Sequence, residues 1–150
     1  MKYVYIANRA DEFMQADIAG FPNEKTGGIL LGYRHDEDQE FEVLEAVDGG
    51  VHAIHEKDIF SCDAEYVQHL ADLLSRLYYP RLQVVGVWCK HDQVCDPPFS
   101  DEDVEMQKKV LEYCKESIVS ILFQKLDEDE YMMKAFAIDE NGSYKEIDMI

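Results

Sequence analysis

Two short groups of residues combine side chains that can bind a metal ion and move protons. Cys89-Lys90-His91 follows a continuous apolar run at 82–88, and Ser100-x-x-Asp103 comes after a short loop. Residues at i and i+2 of a strand point the same way, so Cys89 and His91 can aim at one point. Asp103, in the first turn of a helix, can supply a third ligand. Sulfur, nitrogen and oxygen ligands with a fourth position left to water are the pattern of a catalytic zinc site.

Each of these residues also has an ordinary structural explanation. A serine followed three residues later by an acid is the pattern of a helix N-cap, which accounts for Ser100 and Asp103. A cysteine at the end of a strand is usually a small buried hydrophobe, and a histidine after it is usually a polar surface residue. The spacing by itself is therefore weak support for metal binding.

The elements that must position these residues follow from apolar periodicity. Helices are predicted around Met14 and Ile18, over 67–77, and from Ser100 onwards. A polar turn at 35–39 and an Asn141-Gly142 hairpin turn separate strands. The predicted order is β-α-β-β-α-β-α-β-β-β, which indicates a single α/β domain, 1–150, with a mixed β-sheet flanked by helices. Strands are predicted at 3–6, 28–33, 41–47, 82–88, 118–124, 131–138 and 143–147.

The composition limits the classes of partner and the cellular location that are expected for this protein. The 14 Lys and Arg residues stand against 32 Asp and Glu residues, for a formal net charge of −18. This balance argues against nucleic acid and anionic membrane partners and favours a basic partner surface. No apolar run has the roughly 18 residues of a membrane helix, and no signal-peptide core is evident, so a cytoplasmic location is expected. The four cysteines form no C-x-x-C pair, which favours free thiols or a ligand over disulfides.

Read together, two segments resemble the motifs of the JAMM/MPN zinc metallopeptidases. Gly86–His91 followed by Ser100-x-x-Asp103 resembles the signature in which a strand ends in His-x-His, and Asn23–Gly32 resembles the upstream element with its glutamate. The resemblance implies a cytidine-deaminase-like α/β architecture. It also implies that His91 and Asp103 bind zinc, that Ser100 stabilises the oxyanion and that Glu24 is the general base. Family members cleave bonds at the C-terminal tail of ubiquitin-like proteins, and some bacterial relatives trim sulfur-carrier proteins.

The sequence departs from this pattern at two important positions. Cys89 stands where the family has its first histidine ligand. A thiolate there predicts tighter binding of thiophilic metals and weaker activation of the bound water, because a more neutral site depresses the pKa of that water less. Counting back three residues from Gly28 gives Lys25, and Glu24 occupies the family's position only if one residue has been inserted. A lysine cannot act as the base while it carries its proton.

Three functions follow from these residues. The first is a zinc isopeptidase with Cys89, His91 and Asp103 as ligands. The second is a catalytically degenerate domain that binds a ubiquitin-like protein, a partner subunit or a second copy of itself. The third is thiol catalysis by Cys89, with His91 as base. A nucleoside deaminase is disfavoured because its H-x-E and P-C-x-x-C motifs are absent from the sequence. A lysine rather than a glutamate beside the ligands would argue against hydrolysis.

Overall fold

Strands and helices cover most of the chain in the computed structural model, which describes residues 2–35, 40–128 and 130–150. The helices are α1 (Asn8–Gly20), α2 (Ala64–Ser75) and α3 (Asp101–Cys114). The strands are β1 (Tyr3–Ile6), β2 (Thr26–His35), β3 (Glu40–Val47), β4 (Ile54–His55), β5 (Phe60–Ser61), β6 (Gln83–His91), β7 (Ile118–Asp127), β8 (Glu130–Ile138) and β9 (Tyr144–Met149).

Seven of these strands form a closed barrel in the order β1-β3-β2-β6-β7-β8-β9. Closure depends on β1, which pairs in parallel with β3 through Tyr3 and Glu40 and with β9 through Tyr3 and Asp148. The predicted fold class, a mixed sheet flanked by helices of the JAMM/MPN type, was therefore wrong. Apolar periodicity reports which residues are buried, but it carries no information about whether the first and last strands of a sheet meet.

Side chains alternate between the two faces of each strand, and the buried ones form two large apolar clusters on opposite faces of the sheet. On one face, all seven barrel strands and α1 contribute to a single cluster, with Met14 of α1 and Trp88 of β6 fully buried. On the opposite face, Ile29 and Leu31 of β2 and Val87 of β6 pack against residues of α2 and α3. The central strands β2 and β6 thus have one side toward α1 and the other toward α2 and α3, in keeping with the period of two.

A glycine allows the close packing of the two strands that lead to the predicted site. A Cβ atom at Gly28 would lie 1.7 Å from the carbonyl oxygen of Val47. The same oxygen accepts a hydrogen bond from Nε1 of Trp88 at 3.0 Å. Gly28 therefore lets β2, β3 and the Trp88 ring meet around one carbonyl, and any side chain at this position would force them apart.

Most predicted elements are present with altered bounds, while two short strands were missed. The helix predicted from Ser100 is confirmed, and Ser100 is its N-cap. The strand predicted at 82–88 is confirmed and extends to His91. The two-residue strands β4 and β5 are too short to show periodicity. The turn predicted at 35–39 lies, after His35, outside the described residues. Within the described ranges, no helix has the length and apolarity needed to cross a bilayer.

Candidate metal centre

The pairing of β2 with β6 decides which residues share a face with the predicted metal ligands. The two strands are antiparallel, with Gly27 opposite Cys89 and Thr26 opposite Lys90. Continuing this register places Lys25 opposite His91. Directly opposed residues share a face of the sheet, and neighbours along a strand alternate between faces. Lys25 therefore lies on the side of Cys89 and His91, and the residue before it lies on the other side.

The three predicted ligands converge in the structure. Cys89 and His91 come from the end of β6, and Asp103 comes from the first turn of α3. One ligand atom from each, a thiol sulfur, an imidazole nitrogen and a carboxylate oxygen, lie within 4.8 Å of one another. All three side chains are buried. Buried polar and charged groups need hydrogen bonds or partners of opposite charge, so the contacts around these three side chains decide how the cluster is held.

Asp103 is at the centre of this network. Its Oδ2 atom lies 2.6 Å from Nε2 of His91 and accepts a hydrogen bond from the backbone N–H of Ser100 at 2.9 Å. Oγ of Ser100 in turn accepts from the N–H of Asp103, which completes a capping box. Burial raises the pKa of the Asp103 carboxyl, but His91, Lys25 and the Ser100 N–H together lower it below its ordinary value. Asp103 is therefore held as a carboxylate, the form that a metal ion requires.

Lys25 reaches the same centre. Its ammonium nitrogen lies 3.7 Å from Oδ1 of Asp103 and 3.3 Å from Oγ of Ser100, and only 5% of the residue's surface is exposed. The Lys25 backbone is fixed on both sides. Its N–H donates to the carbonyl of Glu56 at 2.7 Å, and its carbonyl lies 3.1 Å from Nδ1 of His55. A cation is thus built into the site beside Asp103.

Glu24, the predicted general base, is placed differently. Among the described residues, its side chain makes no hydrogen bond to any member of the cluster. Its backbone carbonyl instead accepts a hydrogen bond from Nζ of Lys90 at 2.8 Å, on the other face of the sheet. Of the two predicted catalytic residues, the structure brings Ser100 to the ligands and leaves Glu24 away from them.

Lys90 is a residue that the sequence reasoning did not single out. It is fully buried, and its Nζ donates to the carbonyls of Phe21 at 2.7 Å and Glu24, and pairs with Asp92 at 2.9 Å. These bonds fix the segment that leads into β2 and hence the position of Lys25. The available sequence signal was a lysine between the two predicted ligand positions, where strand alternation predicts that it lies on the opposite face of the sheet.

The two cysteines near the site differ in position. Burial raises the pKa of the Cys89 thiol well above its ordinary value, and the Asp103 carboxylate raises it further, while Lys25 opposes both. Cys89 packs with Leu122, Phe99 and Phe136. A thiol held protonated among apolar groups is a poor nucleophile, which argues against catalysis by Cys89. Sγ of Cys95 lies 3.9 Å from Nδ1 of His91, outside the group of converging ligands.

The donor set fits zinc. Thiolate, imidazole and carboxylate are the groups from which tetrahedral zinc sites are made. The deprotonated Cys89 and Asp103 would together balance the two positive charges of the ion. Lys25 would then add a positive charge beside a neutral centre. Metal binding would also break the hydrogen bond between His91 and Asp103. The cost of breaking it would lower the affinity for the metal.

Comparison with known proteins gives a fold relationship. No protein-family model matches the sequence, and no curated protein matches it. The solution structure of protein DSY2949 from Desulfitobacterium hafniense, a structural-genomics target, matches with a TM-score of 0.68 and 18% identity. The match covers 98% of this chain and 91% of that one. At this identity, the likeness establishes a shared fold and gives no information about activity.

Proposed function

We propose that this protein is a non-hydrolytic, cytoplasmic binding module that holds Zn²⁺ through Cys89, His91 and Asp103 and receives the C-terminal tail of a ubiquitin-like protein. The observation that carries the proposal is the position of Lys25. Its ammonium lies against Asp103 and Ser100, where a hydrolase of this chemistry needs a carboxylate. The class of ligand is taken from the resemblance of the two motifs to JAMM/MPN metallopeptidases.

Lys25 is unsuited to the proton transfers of hydrolysis. A general base must accept a proton from the attacking water, and an ammonium has only donors. The Lys25 nitrogen forms an ion pair with Asp103 at 3.7 Å. A positive charge beside the metal position would also repel Zn²⁺, so the ion would be held more weakly. Among the described residues, the site therefore has ligands for a metal and a lysine at the position where hydrolysis needs a carboxylate.

The same groups are suited to binding an anion. Lys25 supplies a charged donor, and Ser100 supplies a hydroxyl beside it. A bound Zn²⁺ would add a Lewis-acidic charge that attracts a carboxylate oxygen. A protein tail that ends in a free carboxylate matches this arrangement, as in other sites that capture C-termini. The module would thus recognise the tail that a related hydrolase releases.

The zinc isopeptidase remains the second candidate, and one observation favours it. Ser100 lies beside Asp103 with its hydroxyl toward Lys25, which is where a donor to a developing oxyanion would be useful. In that case Glu24 would have to move from its present position, or another carboxylate would have to reach the metal. The two candidates share the metal site and differ in whether a tail is cut or only held.

Binding and cleavage can be measured on one set of samples. The zinc-loaded protein is titrated with a fluorescent C-terminal peptide of a ubiquitin-like protein, as the free acid and as the amide, and is incubated with an uncut ubiquitin-like fusion. The proposal expects the free acid to bind, the amide to bind at least about tenfold more weakly, and the fusion to stay intact. Lys25→Gln should weaken binding of the acid, while Lys57→Gln, at an exposed lysine, should not. Equal binding of acid and amide, or cleavage by the wild type, would contradict the proposal.

A further inference from the structure

A groove of about 1230 Å³ runs between α2 and α3 on the outer side of β2 and β6. Its floor is apolar and includes Ile29 and Leu31 of β2, and its walls include Val67 of α2 and Val110 of α3. Small-molecule sites typically have volumes of about 300–1,000 Å³. The groove is larger than this and open along the helices, which favours a segment of polypeptide as its occupant.

The two helices run in the same direction along the groove. The C-terminal end of α2 lies at the start of β6, where the N–H of Leu82 donates to the carbonyl of Ser75 at 3.2 Å. The C-terminal end of α3 lies there too, because Sγ of Cys114 is 3.3 Å from the carbonyl of Val84. The N-terminal ends of both helices therefore lie toward the other end of β6, which carries the Cys89 cluster.

Charge is distributed unevenly along the groove. At the end with the helix N-termini, the exposed carboxylates of Glu65, Asp101, Glu102 and Glu105 line it. Within the described ranges, none of these four takes part in an ion pair. At the far end, Arg34 pairs with Glu116 and Arg81 pairs with Asp72. Lys109 also lines the groove, but the carboxylates outnumber it. One end of the apolar groove is thus negatively charged without compensation.

We propose that this groove binds a basic amphipathic helix of a partner protein, with its apolar side on the floor and its Lys or Arg residues at the acidic end. A strand is a poor occupant because β-addition needs a free sheet edge, and the barrel closes its own. The separate β4-β5 sheet, whose β5 lines the groove, has only two residues in each strand. A second copy of this chain is disfavoured because each copy carries a net charge of −18. Binding of such a helix would need only the groove, and the metal site would not have to be occupied.

Designed peptides of about 18 residues provide the probe. One has Leu at helical spacing with Lys on the remaining positions, a second has the same composition in scrambled order, and a third has Glu in place of Lys. Each is titrated into the full chain by fluorescence anisotropy at about 0.15 M salt, where screening limits charge effects to roughly 8 Å. The amphipathic Lys peptide should bind at least about tenfold more tightly than the other two.

Matched charge reversals locate the binding. The groove variant Glu65→Lys/Glu102→Lys/Glu105→Lys and the control variant Glu12→Lys/Glu140→Lys/Asp148→Lys change net charge equally, and all six positions are exposed. The groove variant should weaken binding of the Lys peptide by about tenfold or more, and the control by less than about threefold. Equal losses in the two variants, equal binding of the scrambled peptide, or tighter binding of the Glu peptide would overturn the inference. The peptide comparison uses wild-type protein and decides the matter even if a variant fails to fold.

Discussion

The ammonium of Lys25 lies 3.7 Å from Oδ1 of Asp103, and both side chains are almost completely buried. This pair contributes to the electrical balance of the centre, because the carboxylate is matched by the lysine while burial favours the protonated form of Cys89. A cation that enters the centre must compete with Lys25 for Asp103. The pair therefore bears on both parts of the proposed function, how tightly the site would hold a metal ion and whether a base could stand beside it.

Replacing Lys25 by glutamate should change the site from binding to cleavage. Lys25→Glu removes the competing cation and puts a carboxylate on the face that carries Cys89 and His91. We expect cleavage of a ubiquitin-like fusion by the zinc-loaded variant to rise by about 100-fold or more over wild type, in the range that a general base contributes. Lys57→Glu is the matched control. If the two variants are equally inactive, the base position is not what limits hydrolysis.

Zinc affinity should increase with pH. The pKa of the Cys89 thiol is raised by burial and by Asp103, and a thiol must lose its proton to bind the metal. Each proton released makes the apparent affinity rise by about tenfold per pH unit while the pH is below that pKa. Competition with a chromophoric chelator between pH 6 and 8 measures this slope. Cys89→Ser should weaken binding and flatten the slope, whereas Cys95→Ser should leave the slope as it is.

Two cysteines should react slowly with iodoacetamide in the folded, metal-free protein. Burial raises the pKa of the Cys62 thiol to about 12, with Asp48 adding to the effect, and the pKa of Cys89 is also raised. Only the thiolate is nucleophilic, so at pH 8 both residues should be alkylated much faster after unfolding in denaturant than before it. Peptide mapping by mass spectrometry gives the rate for each residue. Rapid alkylation of Cys89 in the folded state would restore the thiol-catalysis hypothesis.

Gly28 should be far less tolerant of substitution than another glycine in the same chain. In Gly28→Ala the added Cβ would lie 1.7 Å from the Val47 carbonyl, whereas at Gly20 it would meet nothing within 4 Å. We expect Gly28→Ala to lower the free energy of unfolding by about 3 kcal/mol or more through overpacking. Gly20→Ala, at the exposed end of α1, should change it by less than about 1 kcal/mol. Urea denaturation of both variants checks the difference, and equal stabilities would show that the strands can separate at little cost.

Local sequence patterns predicted the parts of the site that depend on neighbouring residues. The Ser100 cap and the Asp103 position follow from the chemistry of helix N-termini, and the shared face of Cys89 and His91 follows from strand alternation. The convergence of these two elements was also expected, because a short loop joins them. These features involve residues within one element or its immediate continuation, where backbone geometry fixes the outcome.

The sequence by itself predicted the candidate ligands, the helices and most of the strands. The tertiary structure decided that the sheet closes into a barrel and that Lys25 lies beside Asp103. Closure depends on β1 pairing with both β3 and β9, a relationship between distant segments that no local pattern contains. The register of β2 against β6 decides whether Lys25 or Glu24 lies on the face that carries Cys89 and His91. A shift of one residue moves every side chain of a strand to the opposite face. A single-residue ambiguity in the sequence thus became the difference between a carboxylate and an ammonium beside Asp103, and only the paired strands could resolve it.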